Sequence, residues 1–160
     1  MRIIAIISLL MLTACGFRPL YEAGGSSAAM QAEMSAVEIS PIPDRLGQIM
    51  HNRLLDRLNV SGAQKYRLDI MLNQSSENYG TRPDAATTQE QLTMIATVKL
   101  TSLNDETVLF EEDMRARTSY DVVLSDFATV TQREDSARRL VLELAERVHR
   151  RLALQFSKAE

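Results

Sequence analysis

The stretch Leu92-Thr93-Met94-Ile95-Ala96-Thr97-Val98-Lys99-Leu100-Thr101 sets Leu92, Met94, Ala96, Val98 and Leu100 against Thr93, Thr97, Lys99 and Thr101. A period of two held this long is a strand with one face in a core and the other in water. The same alternation runs upstream, where Tyr66, Leu68, Ile70 and Leu72 interleave with Arg67, Asp69 and Asn73. Downstream, Asn104-Asp105-Glu106 supplies a turn, so Thr107 to Ala116 reads as a strand returning beside its predecessor. A brief strand, Val37-Glu38-Ile39, is expected ahead of these, closed by Pro41 and Pro43, which cannot donate to a ladder.

Two helices complete the pattern. Leu46, Ile49, Met50, Leu54 and Leu58 fall at helical spacing, with Asp44 placed to cap the helix or meet its dipole and Asn59, Ser61 and Gly62 marking its end. Ala137, Leu140, Val141, Leu144, Val148 and Leu152 make a second apolar stripe, backed by the i,i+4 pairs Glu143 to Arg147 and Glu146 to Arg150. The order is strand, helix, three strands, helix. Two amphipathic helices need an apolar partner and a four-stranded sheet with one apolar face supplies it, so the expected fold is an α+β two-layer sandwich.

This domain is expected over residues 37–160, behind a leader and a tether. Arg2, the apolar run Ile3 to Leu12, and Leu12-Thr13-Ala14-Cys15 have the form of a lipoprotein signal, with cleavage after residue 14. The run is too short to cross a bilayer comfortably, which takes about 20 apolar residues. Cys15 is the only cysteine, and in this pattern its thiol would carry the lipid; two or three acyl chains make a stable anchor where one is marginal. An ordinary secreted leader ending near a cysteine is the alternative. Glu22 to Ala36, rich in Gly, Ser and Ala, reads as a flexible tether, so residues 15–36 are expected to form a lipidated N-terminus and linker. Removing Arg2 with the leader takes the formal charge from −3 to about −4, which argues against a general nucleic-acid binder.

The segment Cys15-Gly16-Phe17-Arg18-Pro19-Leu20-Tyr21, followed by a small-residue linker and this order of elements, resembles the LptE family of lipopolysaccharide-assembly lipoproteins. The resemblance covers essentially the whole chain after the leader. It implies an outer-membrane lipoprotein that occupies the lumen of the β-barrel LptD, assists the barrel's assembly, and takes part in delivering lipopolysaccharide to the outer leaflet. Gly16 also differs from the Asp that commonly retains lipoproteins in the inner membrane. Phe17, Arg18, Pro19, Leu20 and Tyr21 are candidates for docking on the barrel, since Pro19 stiffens the segment and its apolar side chains would otherwise be exposed.

No catalytic, cofactor or metal pattern emerges. His51 and His149 lie on different predicted helices without Cys, Asp or Glu at metal-ligand spacing, and no nucleophile elbow or phosphate loop occurs. The chain is not expected to be an enzyme. If the long strands form successive hairpins, Arg82, Arg133 and the strand-four exit with Arg117 share one end of the sheet, where guanidinium groups could meet the acidic groups of lipopolysaccharide. The rival basic group on the last helix, Arg138, Arg139, Arg147, Arg150 and Arg151, is interleaved with glutamates and reads as a solvated face. An accessory lipoprotein of an ABC-type envelope lipid-transport system would look similar, and a tethered hydrolase would need a reactive constellation that is lacking.

Overall fold

The computed structural model describes residues 26–81, 87–123 and 125–157. In chain order they form α1 (Ser26–Ser35), β1 (Val37–Ile39), α2 (Asp44–Leu58), β2 (Tyr66–Thr81), β3 (Thr87–Ser102), β4 (Val108–Asp121) and α3 (Asp126–Ser157). The strands make one sheet in the order β1-β2-β3-β4, parallel between β1 and β2 and antiparallel elsewhere. This is the expected α+β two-layer arrangement with one helix more.

The period-two pattern does what it predicts. Register places Leu68 opposite Leu100 and Leu100 opposite Phe110, then Ile70 opposite Val98, and Ala96 opposite Met114. Leu68, Ile70, Leu92, Met94, Ala96, Val98 and Leu100 are buried, together with Met50, Leu54 and Leu58 of α2 and Leu140, Val141, Leu144, Val148 and Leu152 of α3. The same registers put Thr93, Thr97, Lys99, Arg115 and Arg117 on the opposite face. At the sheet edge, Arg147 of α3 donates to the Arg115 carbonyl at 2.7 Å, blunting one strand rim that would otherwise offer an unpaired acceptor.

The strands run longer than their apolar alternation. β2 continues past Asn73 to Thr81, β3 begins at Thr87, and β4 passes Ala116 to reach Asp121. Asn, Gln, Ser and Glu carry no strand signal of their own, but cross-strand pairing from Asn73↔Ile95 through Thr81↔Thr87 satisfies their backbones. The turn after β3 forms as expected: Thr107 donates to the Asp105 carboxylate through its hydroxyl at 2.9 Å. Helix α2 ends at Asn59, whose left-handed φ of 49° and N–H to the Leu55 carbonyl close its last turn. Asp44 makes no side-chain cap and instead opens the first turn with φ 68°.

The flexible tether expected over residues 22–36 is corrected over most of its second part. Ser26–Ser35 is helical, and Met30 and Met34 are buried in the common core, so that core extends upstream of residue 37. Glu33 fastens the helix by accepting from Lys65 Nζ at 2.7 Å and from the Tyr66 hydroxyl at 2.9 Å. The Ser35 and Ala36 carbonyls accept from Ser61 and Lys65 N–H groups. Ala28, Ala29 and Ala32 favour a helix, while two methionines four apart are too sparse a stripe to be read as one.

Candidate functional site

The far end of the sheet, where β2 and β3 turn and α3 begins, is the region singled out by the sequence. Arg82 falls in residues 82–86, outside the described residues, between the paired Thr81 and Thr87. Arg117 sits on β4 opposite Thr93, on the face away from the helices, whereas Arg133 belongs to α3 on the helix-covered face. The two do not converge.

Arg133 is built into the fold. Its Nη2 stands 2.7 Å from Glu90 Oε2 and its Nε donates to the Tyr120 hydroxyl at 2.7 Å. Glu90 and Tyr120 are directly opposite in the β3–β4 register, and Ser76 of β2 also bonds the Glu90 carboxylate. Burial pushes the Glu90 carboxyl up, but donors from Tyr120, Ser76 and Arg133 outweigh it and hold it below its ordinary range. In turn, Tyr120 and Glu90 raise the Arg133 guanidinium. One carboxylate therefore ties three strands to the third helix. Nothing in the sequence flagged it beyond a Glu at an inward-facing position of an alternating run.

A second ionic knot joins the helices. Glu146 of α3 accepts from Arg53 at 2.7 Å and from Arg57 at 3.0 Å, both on α2. Burial lowers the pKa of the neighbouring half-buried His149, and the positive charges of Arg57 and Arg150 act in the same direction against Glu146. Of the basic group on α3, Arg139 pairs with Asp135 at 3.2 Å, Arg147 with Glu143 at 2.6 Å and Arg151 with Glu112 at 3.0 Å. The first two are i,i+4 pairs of the kind the interleaved spacing suggests, whereas Arg151 reaches across to β4 and lies over the Phe110 ring at 4.3 Å, and the expected Glu146–Arg150 pair gives way to the bonds of Glu146 to Arg53 and Arg57. No group of three or more His, Cys, Asp or Glu able to hold a metal occurs among the described residues.

Apolar exposure at this end went unforeseen. Phe127 is 82% exposed, with Val130 and Val123 also in solvent. Helix α3 starts at Asp126, about three turns before its apolar stripe begins at Ala137, so these residues have no core beneath them. Cys15 and the Phe17, Arg18, Pro19, Leu20 and Tyr21 segment lie outside the described residues. No helix among the described residues is long and apolar enough to cross a membrane.

These features define a class: a small two-layer α+β domain with helices on one sheet face, a polar opposite face, and exposed apolar and basic groups at one end. The chain belongs to the LptE family, described as lipopolysaccharide-assembly, whose family model matches residues 34–152. It is 23% identical over 151 residues to the uncharacterised protein RP188 of Rickettsia prowazekii (strain Madrid E), covering 94% of both chains. Among solved structures it resembles a chain from Caulobacter crescentus CB15 at TM-score 0.63 and 19% identity, covering 82% of this chain and 98% of that one. It also resembles the rare lipoprotein B of Shewanella oneidensis at TM-score 0.60 and 15% identity, covering 73% and 92%.

Proposed function

We propose that this chain is an outer-membrane lipoprotein, anchored through Cys15, that partners an LptD-type β-barrel, assists its assembly and helps deliver lipopolysaccharide to the outer leaflet. The observation that carries this reading is the family match over residues 34–152, on a chain whose first 15 residues have the pattern of a lipoprotein signal. Exposed Phe127, Val130 and Val123 support a protein partner, because a monomer in water gains nothing by presenting them. The role is one of binding and not of catalysis. Phe17, Arg18, Pro19, Leu20 and Tyr21 dock beside the anchor, with Arg18 as a positioning contact.

Arg82, Arg117 and Arg133 remain the proposed lipopolysaccharide contacts, in unequal standing. Arg117 lies exposed on the outer sheet face, while Arg133 is 47% exposed but already committed to Glu90. A mild-detergent pull-down from envelopes, with the partner identified by mass spectrometry, tests the reading. Recovery of a large outer-membrane β-barrel supports it. Recovery of an inner-membrane ABC transporter instead favours the accessory-lipoprotein role.

A further inference from the structure

A cleft of about 340 Å3 opens between α2 and the first half of α3, lined by Leu46 and Ile49 on one helix and Ala137 on the other. It runs on into a smaller hollow of about 160 Å3 that shares Leu46 and Gln74 and reaches Leu72 and Met94 in the sheet. Leu46, Ile49 and Leu72 are only partly buried, so the trough presents apolar surface at the margin of the core. Its size falls within the roughly 300–1,000 Å3 of small-molecule sites.

The rim is charged, and most of its charge is spent. Arg45 pairs with Glu134 at 3.6 Å, Asp135 with Arg139 at 3.2 Å, and Arg133 with Glu90. Arg138, which also lines the cleft, forms no hydrogen bond or ion pair among the described residues. Asp44 borders only the inner hollow. An apolar trough with one uncommitted guanidinium at its mouth is complementary to a hydrocarbon chain ending in an anionic head. The chain displaces water from Leu46, Ile49 and Ala137, and the planar guanidinium takes two oxygens of a phosphate or carboxylate.

We propose that the cleft between α2 and α3 binds a single acyl chain carrying an anionic head, with Arg138 as the headgroup contact. The cleft is a lipid site whose headgroup contact is separate from the proposed contacts Arg82, Arg117 and Arg133, and it does not rest on the barrel partnership, so a failed pull-down leaves it standing. Two sources share the chemistry: a lysophospholipid, and one acyl arm of a phosphorylated glycolipid.

The probe is dodecyl phosphate bearing a chain diazirine, photolysed with the full chain held in phosphatidylcholine nanodiscs. Labelling should map to residues 45–49 and 131–138 and be competed by unlabelled dodecyl phosphate but not by dodecyl maltoside. Arg138→Glu should lower it about tenfold, the loss expected when one charge-assisted contact is removed, while Arg150→Glu on the same helix leaves it unchanged. Ile49→Trp, which fills the trough, should also abolish it with the far-ultraviolet dichroism retained. Competition by lysophosphatidylglycerol or by purified lipopolysaccharide then names the source. Labelling outside the cleft, equal loss in both arginine variants, or competition by neither lipid overturns the proposal.

Discussion

Arg133 of α3 and Glu90 of β3, 43 residues apart in sequence, form an ion pair in which the Glu90 side chain is 6% exposed and that of Arg133 47%. The asymmetry decides what each contributes. The carboxylate has left water and depends on its donors, while the guanidinium keeps part of its hydration.

Removing the cation should therefore hurt more than an exposed salt bridge would suggest. Hydrogen bonds to charged groups contribute about 1.5–3 kcal/mol, and an unpaired buried charge adds desolvation, so Arg133→Ala should cost about 2–3 kcal/mol. Urea denaturation measures it. In the double variant Glu90→Gln with Arg133→Ala the loss should be less than the sum of the two single losses, because the partners touch. Strict additivity would show that the pair is decorative.

The same carboxylate sets an acid limb. Its folded pKa lies below the ordinary 4.5, so the unfolded chain binds the proton first as pH falls. The stabilisation is present above about 4.5 and is lost as pH drops through the folded value. Thermal melts between pH 6 and pH 3 should show this loss, and Glu90→Gln should flatten it. Other carboxylates, Glu33 and Glu146 among them, titrate in the same direction, so the informative quantity is the difference between variant and wild type.

The docking of α1 can be separated from a tether by its core residues. Met30→Ala and Met34→Ala should each destabilise by about 2–5 kcal/mol if these side chains fill the core, and by almost nothing if they hang in solvent. Tyr66 gives a second handle. Burial and the Glu33 carboxylate push its hydroxyl up to about 12, so its contribution is intact below the ordinary 10 and is lost as pH rises from there through the folded value. Amide exchange over residues 26–35 should quicken in that window, and less so in Tyr66→Phe.

Lipidation at Cys15 makes a plain prediction. Cys15→Ala should leave an unprocessed precursor, visible as a larger band on a gel and by mass. Normally cleaved, membrane-bound protein in that variant would remove the anchor.

For the proposed lipopolysaccharide contacts, Arg82→Asp with Arg117→Asp should weaken binding by more than tenfold, the effect of two lost charge-assisted contacts, with little change in thermal midpoint. Adding Arg133→Asp should lower the midpoint as well, because it also breaks the bond to Glu90. Unchanged lipid affinity in the folded double variant would leave a purely structural partner of the barrel as the better account.

Local repetition made the scaffold legible in the sequence. Leu92 to Leu100, Tyr66 to Leu72 and the stripe from Ala137 to Leu152 repeat at the periods of strand and helix, so burial of one face follows from the order of residues alone. The leader pattern at Cys15 is local too. What tertiary structure decided is everything that depends on residues far apart in the chain. Met30 and Met34 became core only because α2 and α3 stand beside them, and polar Asn73 to Thr81 became strand only because β3 lies alongside. Arg133 read as a candidate lipid contact until Glu90 and Tyr120 came within 2.7 Å of it, and the cleft at Arg138 exists only between two packed helices. Periodicity encodes which face a segment buries; it carries no information about which distant partner will meet that face, and charge pairing and cavities are properties of the meeting.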